Sequence, residues 1–133
     1  MKPIPGLAVV LIAREAAPPY TGMLPGYIAG RYTHDECHID LYRLCVAANV
    51  RLYVDEATGL DTATRQLHCR SRPAVPYDVL SIDIGSTPDQ SRTPGAAEHA
   101  FGVKPVDRFI ERLRATEAKL LSARTGFRIA VVG

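Results

Sequence analysis

The sequence predicts an α/β fold carried by a parallel sheet, and three observations predict it. LAVVLIA at 7–13 is continuously apolar, bounded by Pro5-Gly6 before it and by Arg14 and Glu15 after it, as a strand buried on both faces would be. Beyond it, apolar stretches of strand length alternate with segments of helical period, the order that builds strand-helix units. One stretch breaks that order. TGLDTATRQLHCRS at 58–71 shows two short runs around a turn at 61–64, which reads as a small antiparallel insertion.

The elements follow from local chemistry. PPYTGMLPGYIAG at 18–30 is too rich in proline and glycine for a long helix, yet apolar enough to lie against something, so it reads as a shaped loop with one helical turn. THDE at 33–36 has the form of a capping box, and Leu41, Leu44, Cys45 and Ala48 then recur at helical spacing, which predicts a helix ending near Asn49. VRLYVDE at 50–56 alternates as a strand. A further buried strand is expected at 78–84, ending at Gly85, followed by a loop over 87–102. The longest helix runs from Pro105 to about Arg124, with Val106, Phe109, Ile110, Leu113, Leu120 and Leu121 on one face, Pro105 in its first turn and Gly126 at its stop. FRIAVV at 127–132 is a closing strand.

Composition narrows the classes. A chain of 133 residues is the size of one domain. Its 16 basic and 14 acidic residues leave a net charge of +2 with no basic stripe, which argues against nucleic acid as a partner. The longest uninterrupted apolar run is seven residues, where a membrane helix needs roughly 20, so no transmembrane segment is expected. The opening MKPIPGLAVVLIARE lacks a small-residue cleavage pattern and reads as a strand of a cytoplasmic protein. Cys37, Cys45 and Cys69, an odd number without a C-x-x-C pair, fit reduced thiols. His34, Cys37 and His38 form H-x-x-C-H, but the remaining donors, Cys45, His68 and Cys69, match no common zinc spacing, and no metal site is assigned. No G-x-S-x-G elbow or triad order is present, which sets hydrolase chemistry aside.

Strands alternating with helices plus one antiparallel excursion indicate a sheet of the dinucleotide-binding kind. Five segments sharpen this: LIARE with PYTGMLPG, NVRLYVDEATGLD, PYDVLSIDIGSTP, VKPVDRF and RIAVVG. In this order and spacing they resemble the FAD-dependent pyridine-nucleotide oxidoreductases, in the branch of type II NADH dehydrogenases and sulfide:quinone oxidoreductases, and within it the flavoprotein associated with selenophosphate synthetase. The resemblance covers residues 7–133. It implies a partial Rossmann-like FAD-binding domain over 1–126 with a small antiparallel insertion and a long C-terminal helix. Residues 127–133 then match the first strand of an NAD(P)-binding domain. In the family a G-x-G-x-x-G turn precedes the matched region and a second one begins at RIAVVG, so the chain reads as an internal fragment between two phosphate-binding turns. The family's first strand lies mid-sheet, and each buried backbone group left unpaired costs on the order of 1–3 kcal/mol. FRIAVV is expected to fill that place beside 7–13.

The resemblance also implies site residues. At the end of the first strand, where the family usually has an acid for the adenosine ribose, Ala13 stands instead, and Arg14 and Glu15 are the candidates to meet the adenosine half. They also read as solvated strand-end charges. Gly22, Met23, Leu24, Pro25 and Gly26 match the loop beside the flavin, where small residues let backbone approach a planar ring; a tight surface turn is the other reading. Glu56 and Ala57 match the strand end whose backbone holds the adenine edge. Gly85, Ser86 and Pro88 match the A-T-G-S-x-P element, with Asp83 and Ile84 in place of Ala-Thr. Lys104 matches a lysine of this branch, or is a solvated residue before a helix.

The implied cofactors are FAD and, as co-substrate, NAD(P)H. In the parent enzyme a hydride would pass from NAD(P)H to the flavin and on to an unidentified acceptor, and the 133-residue chain by itself is expected not to turn over. The implied partners are a second copy of the chain or selenophosphate synthetase. Thiol chemistry is not implied, since the cysteines match no redox pair of the family. Two other readings remain: a non-catalytic α/β module that binds a nucleotide-like ligand or a protein, and a truncated reading frame.

Overall fold

A parallel strand pair organises the first part of the molecule. The computed structural model describes residues 4–123, 126 and 128–131, and these divide into two units, Met1–Asp83 and Ile84–Gly133. In the first, β1 (Val10–Ala13) pairs in parallel with β2 (Arg51–Val54), in the register Val10 to Arg51 through Ala13 to Val54. The strand is shorter and more open than the apolar run predicts. Leu7 and Val9 precede it and are exposed, and β2 is the only strand beside β1 among the described residues. A strand buried on both faces needs a layer on each; among the described residues α2 packs along β2, and Val10 stays exposed.

Between the strands the chain makes a closed excursion. Thr21–Met23 form a 3-10 turn that runs into α1 (Leu24–Ile28), with Pro25 in its first turn, where a missing N–H is harmless. The way out and the way back are tied together: Tyr20 N–H donates to the Cys37 carbonyl at 2.7 Å, Ile39 N–H to Pro18 at 3.0 Å and Leu41 N–H to Ala16 at 2.9 Å. The capping box forms as expected, with Thr33 N–H donating to Glu36 Oε2 at 2.7 Å and Glu36 N–H to Thr33 Oγ1 at 3.3 Å. It opens a 3-10 turn at Asp35–Cys37, however, and not the helix. α2 (Leu41–Ala48) takes Asp40 as its cap, whose carboxylate accepts Arg43 N–H at 3.0 Å. It ends at Asn49 in the left-handed conformation, φ 54°. Leu24, Cys37, Leu41 and Cys45 are the buried residues of this unit's core.

After β2 the predicted insertion is present. β3 (Ala57–Asp61) and β4 (Gln66–Cys69) pair antiparallel, closed by Asp61, which accepts Ala63 N–H, Thr64 N–H and the Thr64 hydroxyl. A third strand escaped the sequence reading: β5 (Val75–Pro76) adds to the edge of β4, where a proline is tolerated. The strand expected at 78–84 is absent. That stretch pairs with no strand among the described residues, and Val79 and Ile84 are 91% and 89% exposed.

In the second unit the expected loop contains a 3-10 turn, Gln90–Arg92, capped by Asp89, and α3 (Ala96–His99), which follows Gly95 at φ 81°. α4 (Val106–Ser122) is the long C-terminal helix. Val106 is buried and Phe109, Ile110, Leu113 and Leu120 are half-buried, while Leu121, one position round the helix from Leu120, is 89% exposed. The helix stops before Gly126 is reached, with Ser122 Oγ donating to the Lys119 carbonyl at 2.9 Å. Of the expected closing strand, 128–131 carries no strand pairing and Phe127 and Val132 lie outside the described residues, as does Gly133. The α/β class and the long terminal helix stand; the sheet is smaller than the apolar runs suggest.

Candidate functional site

The parallel pair brings two groups of predicted residues to one edge. β1 and β2 end together, and Asp55 N–H donates to the Ala13 carbonyl at 2.9 Å, so Arg14 and Glu15 leave one carboxyl end while Asp55 and Glu56 leave its neighbour. In α/β sheets ligands bind at that end of the strands, where loops diverge and backbone groups become free. Arg14 and Glu15 are both exposed there, a cation and a hydrogen-bond acceptor side by side. Glu56 is more committed. Its carboxylate meets Arg70 at 2.8 Å, its N–H donates to Asp55 Oδ1 at 2.7 Å and its carbonyl accepts Arg70 N–H at 2.9 Å. Ala57 begins β3 opposite Cys69.

Asp55 is the residue that sequence reasoning passed over. Burial acts to raise its carboxyl, yet the N–H groups of Glu56 and Ser71 and the Arg72 guanidinium outweigh burial and hold it below the usual carboxylate range. Arg72 also lies over the Tyr53 ring, 3.8 Å from the centroid. The signal was present: two acids stand before the predicted insertion and Arg70-Ser71-Arg72 follow it, so any hairpin between them brings the charges together. Next to this cluster, burial pushes the Cys69 thiol up, with the Asp55 charge adding to it and Arg72 opposing. That is the reverse of what a reactive thiolate needs.

The PYTGMLPG loop has a local reason for its glycines. A Cβ on Gly22 would lie 2.9 Å from the Tyr20 ring, and the Tyr32 ring lies so close to Gly26 that a Cβ there has no room. Leu24 is buried in the core, while Met23 and Pro25 flank it in the turn and first helical residues. The two aromatic rings thus account for Gly22 and Gly26 by close packing within the loop itself.

The second unit brings Gly85 and Lys104 together. Gly85 adopts φ 68°, which favours glycine, and the flexible Lys104 side chain brings its Nζ to 2.8 Å from where a Cβ would sit. Gly102 packs near Pro88 Cγ in the same corner, and Ser86 is exposed beside it. The histidines of H-x-x-C-H stack, with ring centroids 3.9 Å apart, and His38 Nδ1 lies 2.5 Å from the His34 carbonyl. Among the described residues no three His, Cys, Asp or Glu side chains gather as metal ligands would, and no helix is long and apolar enough to cross a membrane.

With this geometry in view, the chain can be set beside known proteins. Its fold is similar to part of the sulfide:quinone oxidoreductase of the hyperthermophilic bacterium Aquifex aeolicus. The solved structure of that protein matches 91% of this chain and 28% of its own length with a TM-score of 0.67 at 16% sequence identity. In sequence, the chain is similar to the external alternative NAD(P)H-ubiquinone oxidoreductase B4, mitochondrial, of Arabidopsis thaliana, at 29% identity over 39% of this chain and 11% of that protein. No family model matches the chain. The chain thus spans about a quarter of one relative and about a tenth of the other. Both similarities are to oxidoreductases of the branch the motifs resemble, and neither bears on selenophosphate synthetase.

Proposed function

We propose that this chain is part of an FAD-dependent oxidoreductase in which a hydride passes from NAD(P)H to flavin and on to an acceptor. The observation that carries the reading is the shared carboxyl end of β1 and β2, where Arg14 and Glu15 stand exposed on a fold that matches an oxidoreductase over most of the chain. The residues fit the adenosine half of FAD chemically. Arg14 offers a fixed positive charge and planar donors, suited to a phosphate or to stacking on a base, and Glu15 offers acceptors for ribose hydroxyls.

At the other end of the motif series, the Lys104 ammonium lies against the exposed backbone at Gly85. An ammonium held there favours negative charge on whatever approaches, which is the electrostatic role a protein plays beside a flavin. When bound, FAD would supply the hydride chemistry; the chain supplies binding and charge. The plant relative is named for ubiquinone, which makes a quinone the acceptor to try first with the whole enzyme.

The test is a thermal melt of the purified chain with and without FAD, together with its visible spectrum. A flavin band, or a midpoint that rises with FAD concentration as ligand linkage requires, supports the reading. A colourless protein whose melt ignores FAD at millimolar concentration overturns FAD binding by this chain alone and favours a fragment whose flavin site needs the phosphate-binding turn of its parent. An intermediate check is Arg14→Ala with Glu15→Ala. Any FAD-dependent rise should shrink in that variant if the strand-end pair meets the ligand.

A further inference from the structure

Asp55 stands where the parallel pair ends and the antiparallel hairpin begins. Its backbone continues the pairing through the bond to Ala13, while its side chain, 3% exposed, reaches across the hairpin base. Oδ1 accepts Glu56 N–H at 2.7 Å and Ser71 N–H at 3.2 Å, and Oδ2 accepts Ser71 N–H at 3.2 Å and Arg72 Nε–H at 3.3 Å. Arg72 is itself fixed by the Tyr53 ring, two residues before Asp55 and therefore on the same side of the strand.

The hairpin needs such a fastening at its base. Its far end is closed by the Asp61 turn, but the β3–β4 register shifts between Ala57 and Gly59, so the regular ladder fails at the end nearest β2. At this end the Glu56 carbonyl accepts Arg70 N–H, and the Asp55 carboxylate adds a second tie, because it binds the outgoing N–H of Glu56 and the returning N–H of Ser71 at once. A buried carboxylate filled by several donors has little freedom to turn.

We propose that Asp55 is a positioning residue: through Ser71 and Arg72 it orients the Glu56–Ala57 peptide that closes the carboxyl end of β2, and so shapes the adenosine subsite without touching the ligand. This rests on the flavin reading given above. Arg14 and Glu15 remain the groups that meet the ligand, and Asp55 sets the wall opposite them on the neighbouring strand.

The experiment is an FAD titration of the full chain followed by flavin fluorescence, with circular dichroism to confirm that each variant is folded at the temperature used. Asp55→Asn keeps the shape but places an amide against Arg72, and should weaken FAD about tenfold, the size expected if the displaced Glu56–Ala57 peptide loses one good hydrogen bond to the ligand. Combining it with Arg72→Gln restores an amide pair across the same gap and should recover most of that loss, which a general loss of stability would not do. Arg72→Lys, which keeps the charge and loses the stack on Tyr53, should weaken FAD several-fold and decides the matter if Asp55→Asn does not fold. Wild-type affinity in both folded single variants would overturn the positioning role while leaving the flavin reading intact. A wild-type chain that binds no FAD would overturn both.

Discussion

Two runs of this chain that both read as buried strands have different structures. LAVVLIA at 7–13, apolar throughout, yields β1, whereas DVLSIDI at 78–84, whose four aliphatic residues are interrupted by Ser81 and Asp83, forms no strand and leaves Val79 and Ile84 almost fully exposed. The difference lies in what surrounds them. β1 has β2 beside it, delivered by a helix with a good cap at each end, so every residue from Val10 to Ala13 finds a backbone partner. The second run has no strand beside it among the described residues. A strand is a pairing, and an apolar run supplies only one side of it.

The comparison can be broken most directly at α2, which carries the chain from β1 to β2. Leu41, its first residue, is buried in a unit whose buried apolar residues are few. Leu41→Ala should therefore cost about 2–5 kcal/mol in urea unfolding, the usual range for a buried leucine. A loss below about 1 kcal/mol would show that β1 and β2 stay paired without the helix that joins them.

Acid offers a second way to separate paired from unpaired regions. The Thr64 hydroxyl and N–H hold the Asp61 carboxyl below its ordinary range, and Asp55 lies low as well, its donors outweighing its burial. Both are depressed in the folded state, so each unfolded carboxyl takes up a proton at higher pH than its folded form. Their stabilisation is complete above the ordinary carboxylate range and is lost as pH falls through the depressed folded values. Far-UV circular dichroism from about pH 5 to about pH 2 should show the strand signal falling, and Asp61→Asn should flatten that dependence. Stability that ignores acid over this range would mean that neither carboxylate holds the hairpin.

Much of this was legible in the sequence, and the misses share a cause. The hairpin around Asp61, the helix from Leu41 and the helix after Pro105 all rest on contacts within about 20 residues, which turn chemistry and periodicity record. The strand at 78–84, the burial of 7–13 and β5 depend on which segments meet in space. Periodicity does not encode that. The same holds at the site: Arg14, Glu15, Glu56, Gly85 and Lys104 were named from motif order, but the grouping of Asp55 with Ser71 and Arg72 needed the hairpin to close. The glycines of PYTGMLPG were noticed, and their neighbours Tyr20 and Tyr32 were not, because ring placement is a tertiary fact.

The capping box sharpens the comparison at a smaller scale. Thr33 and Glu36 form every bond the motif promises, yet they close a 3-10 turn, and the cap of α2 is Asp40. Asp40→Ala should destabilise the first unit by about 1 kcal/mol, the common value for a lost N-cap, seen as a drop in helical signal and melting temperature. Thr33→Ala should do less, because the turn it closes is exposed and no long helix depends on it. Equal effects would return the helix start to the box.

The smallest expected effect bears most closely on the unpaired run. Val79 projects into solvent, so replacing it with serine removes no buried contact, leaves no cavity and breaks no ladder bond. Val79→Ser should change stability by less than about 0.5 kcal/mol, as surface substitutions away from structural features do. A valine on a paired strand with one covered face would lose buried apolar area on the same change, at roughly 25 cal/mol per Å². A measured loss of about 1 kcal/mol or more would therefore mean that 78–84 is covered in solution, and by a neighbour able to bury it. That neighbour would be sought by crosslinking from an Ile82→Cys variant, because Ile82 is exposed on the same run.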